Sequence, residues 1–231
     1  MRRMTQHIGI VACSAEGAAL CYRTICLEAA ALMGEHAHPE VTMHTHALAE
    51  YMPHIRTGNW RKAAALMLSS ARKVAAAGAD FAICPDNTIH QAFPFVRKSS
   101  PIPWLHIAEA VATEAAARGF QRLAITGTKY LMTGPVYPET LGRCGIACAI
   151  PNAAERARID RIIFKELVNG VRRESSRAYL NKVIRRLKAQ GCDAVVLGCT
   201  ELPLLVDPAD CPLPTLDSTR LLARAALREA L

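Results

Sequence analysis

Two side chains that can move protons, the carboxylate of Asp86 and the thiol of Cys199, occupy corresponding places in an internal repeat. The segment Gly78–Asn87, which is followed by Thr88, aligns without a gap with Gly191–Thr200, and the alignment puts Asp86 opposite Cys199. At neutral pH a carboxyl group is ordinarily ionised and a thiol is ordinarily protonated. The pair therefore predicts proton transfer at a carbon, in which Asp86 removes a proton from one face and Cys199 delivers one to the opposite face.

The elements that must position this pair follow from the alternation of short apolar runs with long helical patterns. This alternation predicts parallel sheets covered by helices. The predicted strands are His7–Cys13, Val41–His46, Phe81–Pro85, Trp104–His106, Arg122–Thr126, Ala147–Pro151 and Ala194–Gly198. The predicted helices are Gly17–Met33, Trp60–Ala77, Ile107–Arg118, Glu155–Gly170, Ser176–Gln190 and Leu221–Leu231.

The repeat also predicts the domain organisation. Each copy has a helix-ending glycine, an Asp two residues later, an apolar strand and a polar loop that opens a helix. We expect an α/β fold of two pseudo-symmetric subdomains, each a central parallel sheet flanked by helices, with the active site in the cleft between them. Ligands of open α/β sheets bind at the carboxyl ends of strands, where both candidates fall. The first subdomain is expected to span residues 1–100, rejoined by a C-terminal helix at 212–231, and the second to span residues 101–211.

Polar residues near these strand ends can bind an anion through side-chain donors and backbone N–H groups. The candidates are Asn87, Thr88, Thr200, Thr126, Thr128 and Ser14. Helix capping is the alternative role for these residues, and it is also the alternative for Asp86, which follows Pro85. His90 lies one helical turn after Asp86 and either orients the aspartate or packs in the core.

Metal and nucleotide sites are not indicated. His44 and His46 share one face of a predicted strand, but the third ligand that a catalytic metal site usually has is not evident. The loop after the first strand, Ala12-Cys13-Ser14-Ala15-Glu16-Gly17, is neither a P-loop nor a dinucleotide-binding fingerprint. We therefore expect no metal and no cofactor.

At these residues the sequence resembles the aspartate/glutamate/hydantoin racemase superfamily over nearly its whole length. The resemblance includes Asp86-Asn87-Thr88-Ile89-His90 and is most specific at Leu197-Gly198-Cys199-Thr200-Glu201-Leu202-Pro203. The family pattern has Cys-Asn-Thr-x-His in the first half and Gly-Cys-Thr-Glu in the second. The second motif is intact, whereas Asp86 stands where the family cysteine usually stands.

The resemblance implies a homodimeric amino acid racemase or epimerase, an isomerase of amino acid metabolism that works without pyridoxal phosphate on an Asp- or Glu-like substrate. It implies that Asn87, Thr88 and Thr200 hold the substrate carboxylate, and it places His46 near the distal end of the substrate. Two alternatives stay open because of Asp86. One is a decarboxylase of α-substituted malonates that uses Cys199 alone as the proton donor, and the other is a non-catalytic carboxylate-binding relative.

Composition restricts the partners and the location. The formal net charge is +8, but the basic residues are dispersed and lack interleaved aromatics, so we expect no nucleic acid. No apolar stretch approaches the ~20 residues of a membrane helix. Met1-Arg2-Arg3 superficially resembles the start of a lipoprotein signal, but the apolar run that follows is shorter than the ~7 residues required. Nine cysteines without a CxxC pair favour a reduced, cytoplasmic protein.

Overall fold

A computed structural model describes residues 5–231, so the Met1-Arg2-Arg3 segment lies outside the described residues. The strands are β1 Ile8–Ala12, β2 Val41–Thr45, β3 Phe81–Ile83, β4 Arg122–Thr126, β5 Ala147–Ala149, β6 Ala194–Leu197 and β7 Thr215–Asp217. The α-helices are α1 Ala15–Met33, α2 Leu48–Thr57, α3 Trp60–Ala76, α4 Phe93–Val96, α5 Ile107–Ala117, α6 Lys129–Met132, α7 Val136–Arg143, α8 Ala153–Lys165, α9 Glu174–Ala189 and α10 Ser218–Ala230. Short 3₁₀ helices span Thr88–Ala92, Leu167–Asn169 and Leu202–Leu204.

These elements confirm the expected α/β fold with parallel sheets flanked by helices. The chain forms two compact units. The first unit comprises the described residues up to Ala110 together with Thr219–Leu231, and the second comprises Val111–Ser218. Among the described residues, no helix is long and apolar enough to span a membrane.

The first unit is built on a three-stranded sheet with the order β2-β1-β3, in which both pairings are parallel. Every residue of β1 and β3 is buried, which is typical of a parallel strand covered on both faces, whereas β2 at the edge is half exposed. Helices α1 and α10 pack on this sheet, where Ile25 and Leu222 join Ile8 and Ile10 in one apolar core.

The second unit repeats this order and adds one strand. Its parallel sheet has the order β5-β4-β6-β7, so β4, β5 and β6 correspond to β1, β2 and β3. Helices α8 and α9 cover it through a core that includes Ile159, Ile163, Leu180 and Ile184. The two copies of the sequence repeat therefore form topologically equivalent strands, β3 and β6.

The Asp of each repeat ties its strand to the central strand of the same sheet. The Asp80 carboxylate accepts a hydrogen bond from the backbone N–H of His7 at 2.7 Å. In the second unit the Asp193 carboxylate accepts from the backbone N–H groups of Gln121 at 2.6 Å and Arg122 at 3.2 Å. In each unit an aspartate carboxylate thus binds backbone N–H groups at the amino end of the central strand, which is β1 in the first unit and β4 in the second.

The glycine of each repeat ends a helix with a positive backbone φ. Gly78 has φ 99° after α3 and Gly191 has φ 90° after α9, a region that other residues rarely adopt. In both copies the next backbone N–H bonds a carbonyl five residues back, from Ala79 to Val74 and from Cys192 to Leu187. These glycines turn the chain from the helix into the strand.

Two predicted elements differ from the structure. The helix predicted over Glu155–Gly170 ends at Lys165 and is followed by a 3₁₀ turn, because Glu166 leaves the helical region with φ −120° and ψ −67°. The strand predicted over Trp104–His106 is reduced to one parallel bridge between Trp104 and Ala82. Beside this bridge the carbonyl of Pro103 accepts a hydrogen bond from the backbone N–H of Ala82. Pro103 cannot donate one in return, because proline has no N–H.

Helices α2, α4, α6 and α7 and strand β7 were not expected from the sequence. Helices α2 and α7 both contain proline, Pro53 and Pro138, which the sequence pattern treats as a helix breaker. Pro138 lies in the first turn, where the missing N–H has no intrahelical partner to lose. Strand β7 has only three residues, of which one is buried, so it carries no recognisable alternation.

Replacing Asp193 with Ala should destabilise the second unit by about 1.5–3 kcal/mol, because two backbone N–H groups at the start of β4 lose a charged acceptor. Chemical denaturation measures the free energy of unfolding. Asp193→Asn, which keeps an acceptor oxygen, is the matched control and should lose less. Equal losses in the two variants would show that the hydrogen bonds are not the cause.

Candidate functional site

Asp86 follows β3 and caps the 3₁₀ helix that comes after it. Its Oδ1 accepts hydrogen bonds from the backbone N–H groups of Thr88 at 3.2 Å and Ile89 at 3.4 Å. The side chain is partly exposed, so the carboxylate lies at the carboxyl edge of the first sheet with access to solvent. Capping fixes the orientation of the carboxylate and does not exclude a second role for it.

His90 holds the backbone of the Asp86 loop, which we define as residues 84–90. Its Nδ1 donates to the carbonyl of Asp86 at 2.7 Å, and its Nε2 accepts from the backbone N–H of Ile107 at 3.3 Å. A carbonyl can only accept and an N–H can only donate, so these bonds fix a single neutral tautomer. Burial lowers the pKa of His90 to about 4, against an opposing effect of the bond to Asp86. His90 is therefore neutral at pH 7 and positions the loop.

The other side chains of the Asp86 loop are shielded from solvent. Asn87 and Thr88 are buried at its turn into the 3₁₀ helix. Cys84 is fully buried, and burial, with a smaller contribution from Asp86, raises its pKa well above the usual value. Since the thiolate is the reactive form of cysteine, Cys84 is not a candidate for the chemistry.

Cys199 follows β6 at the corresponding edge of the second sheet, where the backbone approaches β4 closely. The N–H of Gly198 donates to the carbonyl of Thr126 at 2.8 Å. A Cβ on Gly198 would lie 2.7 Å from that carbonyl oxygen and 2.5 Å from the side chain of Leu131. Glycine is required here because any side chain would push the strand end, and Cys199 with it, away from β4.

The thiol of Cys199 is held by a carboxylate. Its Sγ donates to Oε2 of Glu201 at 2.9 Å, and the hydroxyl of Thr200 donates to the same oxygen at 2.7 Å. Glu201 is only 5 % exposed, so its charge acts on the thiol with little screening. The bond uses the proton on sulfur, and a nearby negative charge opposes formation of the thiolate. In this geometry the proton of the Cys199 thiol is directed at Glu201.

Three further candidates have structural contacts. Thr126 is fully buried, and its hydroxyl donates to the carbonyl of Val196 at 2.7 Å, joining β4 to β6. Thr128 caps α6 by accepting from the backbone N–H of Leu131 at 3.2 Å. Ser14 occupies the N-cap position of α1 with extended backbone. Of the three, Thr126 donates its hydroxyl proton to a hydrogen bond inside the sheet, so that proton is not offered to a ligand.

His44 and His46 face α3 from β2 and the loop that follows it. His44 bonds the hydroxyl of Ser70 at 2.9 Å and accepts from the Lys73 ammonium at 2.9 Å, and His46 bonds the hydroxyl of Ser69 at 3.1 Å. Burial lowers the pKa of His44, and Lys73 and His46 lower it further. Within residues 5–231, no group of three or more His, Cys, Asp or Glu side chains is arranged to hold a metal ion.

Two residues near the strand ends were missed from the sequence. The motif includes Glu201 without indicating its role, although its place two residues after Cys199 is a signal that the two side chains can meet. His106 begins the turn into α5, and its ring centroid lies 4.6 Å from that of His90. The sequence pattern predicts His106 as the end of a strand, and nothing in that local pattern links it to the Asp86 loop.

Comparison with known proteins gives consistent matches. A family model described as Asp/Glu/hydantoin racemase matches residues 8–226. The broad specificity amino-acid racemase RacX of Bacillus subtilis is 21 % identical over 164 residues, which is 70 % of this chain and 69 % of that protein.

Solved structures resemble the whole chain. A provisional Asp/Glu racemase from Yersinia pestis has a TM-score of 0.89 at 30 % identity, covering 97 % of this chain and 99 % of that one. An aspartate racemase homologue from Pyrococcus horikoshii OT3 has a TM-score of 0.82 at 27 % identity, with the same coverage of both chains. Glutamate racemase from Aquifex pyrophilus shares the fold, with a TM-score of 0.68 at 18 % identity, covering 95 % of this chain and 82 % of that one.

The neutral state of His90 should make stability depend on pH. Its pKa is about 4 in the folded protein and about 6.5 in the unfolded chain, so the unfolded chain binds more protons between these values. The contribution is complete above pH 6.5 and is lost as the pH falls toward 4, by roughly 3 kcal/mol. Urea denaturation between pH 4 and 7 should show this loss in the wild type and not in His90→Gln.

The control for this series is His36→Gln, which removes a histidine whose side chain is 90 % exposed and should leave the wild-type pH profile intact. His90→Gln should also lower stability at pH 7, because the Asp86 carbonyl or the Ile107 N–H loses its buried partner. A pH profile of His90→Gln that matches the wild type would contradict the assignment.

Removing the charge of Glu201 should make Cys199 more reactive. In Glu201→Gln the thiolate forms without a neighbouring carboxylate, so alkylation of Cys199 by iodoacetamide at pH 7 should be at least about tenfold faster. Site-resolved mass spectrometry measures the rate at each cysteine. Glu174→Gln, at an exposed carboxylate, is the control. Unchanged or slower alkylation of Cys199 in Glu201→Gln would show that the carboxylate does not hold the thiol in its protonated form.

Proposed function

Because the chain belongs to the Asp/Glu/hydantoin racemase family, we propose that it inverts the α-carbon of an amino acid or related carboxylate with Asp86 and Cys199 as its two proton-transfer groups. The proposed substrate is Asp- or Glu-like, and the proposed reaction needs no cofactor. The racemase names of its relatives support the reaction class.

The equivalence of two strand ends carries the proposal. Asp86 follows β3 and Cys199 follows β6, and these strands hold the same place in two sheets of the same order. Both side chains therefore end at the edge of an α/β sheet where ligands bind. One carries a carboxylate and the other an S–H proton, so the two groups differ in what they can do with a proton.

In the proposed reaction the Asp86 carboxylate takes the α-proton, and the electron pair left on carbon spreads into the substrate carboxylate. Cys199 then gives its proton to the opposite face of that carbon, which yields the inverted product, a protonated Asp86 and a Cys199 thiolate. The reverse direction uses this second form of the enzyme, with the thiolate as base and the carboxylic acid as donor. Proton exchange with solvent restores the first form.

The charge that develops on the substrate carboxylate needs donors close by. We propose that Asn87, Thr88 and Thr200 provide them, through the Asn87 amide, the Thr88 hydroxyl and the backbone N–H of Thr200, since the backbone N–H of Thr88 already donates to Asp86. The Thr200 hydroxyl already donates to Glu201, so its remaining capacity at the substrate is as an acceptor or through the backbone. His46 at the end of β2 is proposed to recognise the distal group of the substrate, and Ser14 and Thr128 are proposed as further polar contacts.

A second candidate is a decarboxylase of α-substituted malonates. It is favoured by two contacts: Asp86 already accepts two backbone N–H groups as a cap, and Cys199 already holds its proton toward a carboxylate. In that reaction the substrate loses carbon dioxide, and Cys199 alone protonates the carbanion. A homodimer and a cytoplasmic location stay predictions for either activity.

Isotope incorporation tests the racemase proposal. A single enantiomer of aspartate or glutamate is incubated in deuterium oxide, and both enantiomers are recovered early in the reaction. The product enantiomer should carry deuterium at the α-carbon, delivered by Cys199 in one direction and by Asp86 in the other, whereas the recovered substrate should keep its hydrogen, since a different group faces it. No exchange with any member of a broad panel of α-amino carboxylates would overturn the proposal.

Variants separate the candidate functions. Asp86→Ala and Cys199→Ala should each lower kcat for racemisation by about 10²–10⁴-fold, the usual contribution of a general acid or base. Cys144→Ala, at an exposed cysteine, is the matched control and should be unaffected. Release of carbon dioxide from a disubstituted malonate that survives Asp86→Ala but not Cys199→Ala would identify the decarboxylase. Calorimetric binding of dicarboxylates without conversion would indicate a non-catalytic relative.

A further inference from the structure

A cavity of about 250 Å³ lies in the first unit, apart from the acid–base groups. It is formed by the short helix α4, the chain that follows it and the first turn of α5. Its lining residues are Phe93, Arg97, Ile102, Pro103, Trp104 and Glu109. Ligand sites of this kind combine apolar walls with a few charged groups that fix orientation, and the volume is slightly below the usual range for drug-sized ligands. The cavity suits a molecule of about one ring.

The aromatic wall of this cavity is rigid. The ring of Phe93 meets the indole of Trp104 edge to face, with centroids 6.1 Å apart. The indole N–H donates to the hydroxyl of Ser100 at 2.6 Å, which fixes the ring and satisfies its only donor. The wall therefore offers an apolar surface and does not itself need a polar partner. It favours an aliphatic or aromatic side chain on the ligand.

Two charges of opposite sign complete the lining. Arg97 follows α4 and Glu109 lies in the first turn of α5, and both side chains are exposed enough to reach a ligand from solvent. A guanidinium binds a carboxylate through two parallel hydrogen bonds, and a carboxylate can accept from an ammonium while keeping another partner. One cation, one anion and an apolar wall match the three parts of a free amino acid.

We propose that this cavity is a second binding site, for a zwitterionic amino acid with an apolar or aromatic side chain. Arg97 binds its carboxylate, Glu109 binds its ammonium, and Phe93 and Trp104 pack against its side chain. The same Phe93 ring stacks on His90, with centroids 5.7 Å apart and an interplanar angle of 18°. An occupant of the cavity thus shares a wall with the residue that holds the Asp86 loop.

Tryptophan fluorescence tests the site, because the chain has only two tryptophans. In the full-length Trp60→Phe variant, Trp104 is the sole reporter. L-phenylalanine should change its emission saturably, with a dissociation constant on the order of 1 mM. The two matched probes are 3-phenylpropionate, which lacks the ammonium, and 2-phenylethylamine, which lacks the carboxylate. Each should bind about tenfold or more weakly, since one charged contact is lost.

Charge variants assign the two ends of the ligand. Arg97→Gln should weaken L-phenylalanine and 3-phenylpropionate about tenfold without affecting 2-phenylethylamine, and Glu109→Gln should show the reverse selectivity. Arg97→Lys should restore part of the affinity. Arg61→Gln, at an arginine that stacks on Phe95, is the surface control and should bind normally.

Binding must also be independent of the proposed reaction, so Cys199→Ala should bind L-phenylalanine as the parent protein does. Absence of a saturable change in Trp104 emission would overturn the proposal. So would binding that is lost in Cys199→Ala and unaffected by Arg97→Gln, because the ligand would then occupy the reaction site. Neither result bears on racemisation, which is measured separately.

Discussion

One backbone constraint positions both candidate proton carriers. In each unit, an aspartate just before β3 or β6 accepts a hydrogen bond from the backbone N–H at the amino end of the neighbouring central strand. Asp80 does this for β1 and Asp193 for β4. A strand held at its amino end delivers its carboxyl end to a fixed edge of the sheet. The residue that follows the strand therefore arrives at the same place in each unit, whatever its type. The repeat preserves this scaffold and leaves the residue after the strand free to vary between carboxylate and thiol.

The environments of the two strand ends differ in the way that the proposed reaction requires. The Asp86 carboxylate accepts from backbone N–H groups, which stabilise its charge without giving it a proton, while the neutral His90 holds the backbone carbonyl of the same residue. At Cys199 the neighbour is the buried carboxylate of Glu201, which keeps the proton on sulfur. Each environment favours the protonation state that the proposed reaction needs at its start. The proposed roles of Asp86 as base and Cys199 as acid therefore rest on local contacts within each unit.

The sequence predicted those features that depend on local pattern. Continuous apolar runs identified β1 and β6, and the repeat identified the residues that follow β3 and β6. Helices α2 and α7 were not predicted, because a sequence pattern treats proline as a helix breaker and does not report that their surroundings tolerate Pro53 and Pro138. The contact of Thr126 with Val196 depends on which strand pairs with β4, and the bond from Ile107 to His90 joins residues 17 positions apart. Such contacts follow from the tertiary fold and not from spacing.

We propose that Asp86 and Cys199 act on the same carbon, and the decisive experiment is the structure of the protein with a bound non-reactive carboxylate analogue. We expect an α-carbon with an Asp86 carboxylate oxygen on one face and the Cys199 sulfur on the other, each at about the 3–3.5 Å that reacting atoms require. An analogue bound near Cys199 alone, with the Asp86 carboxylate bonded only to its own loop, would contradict it.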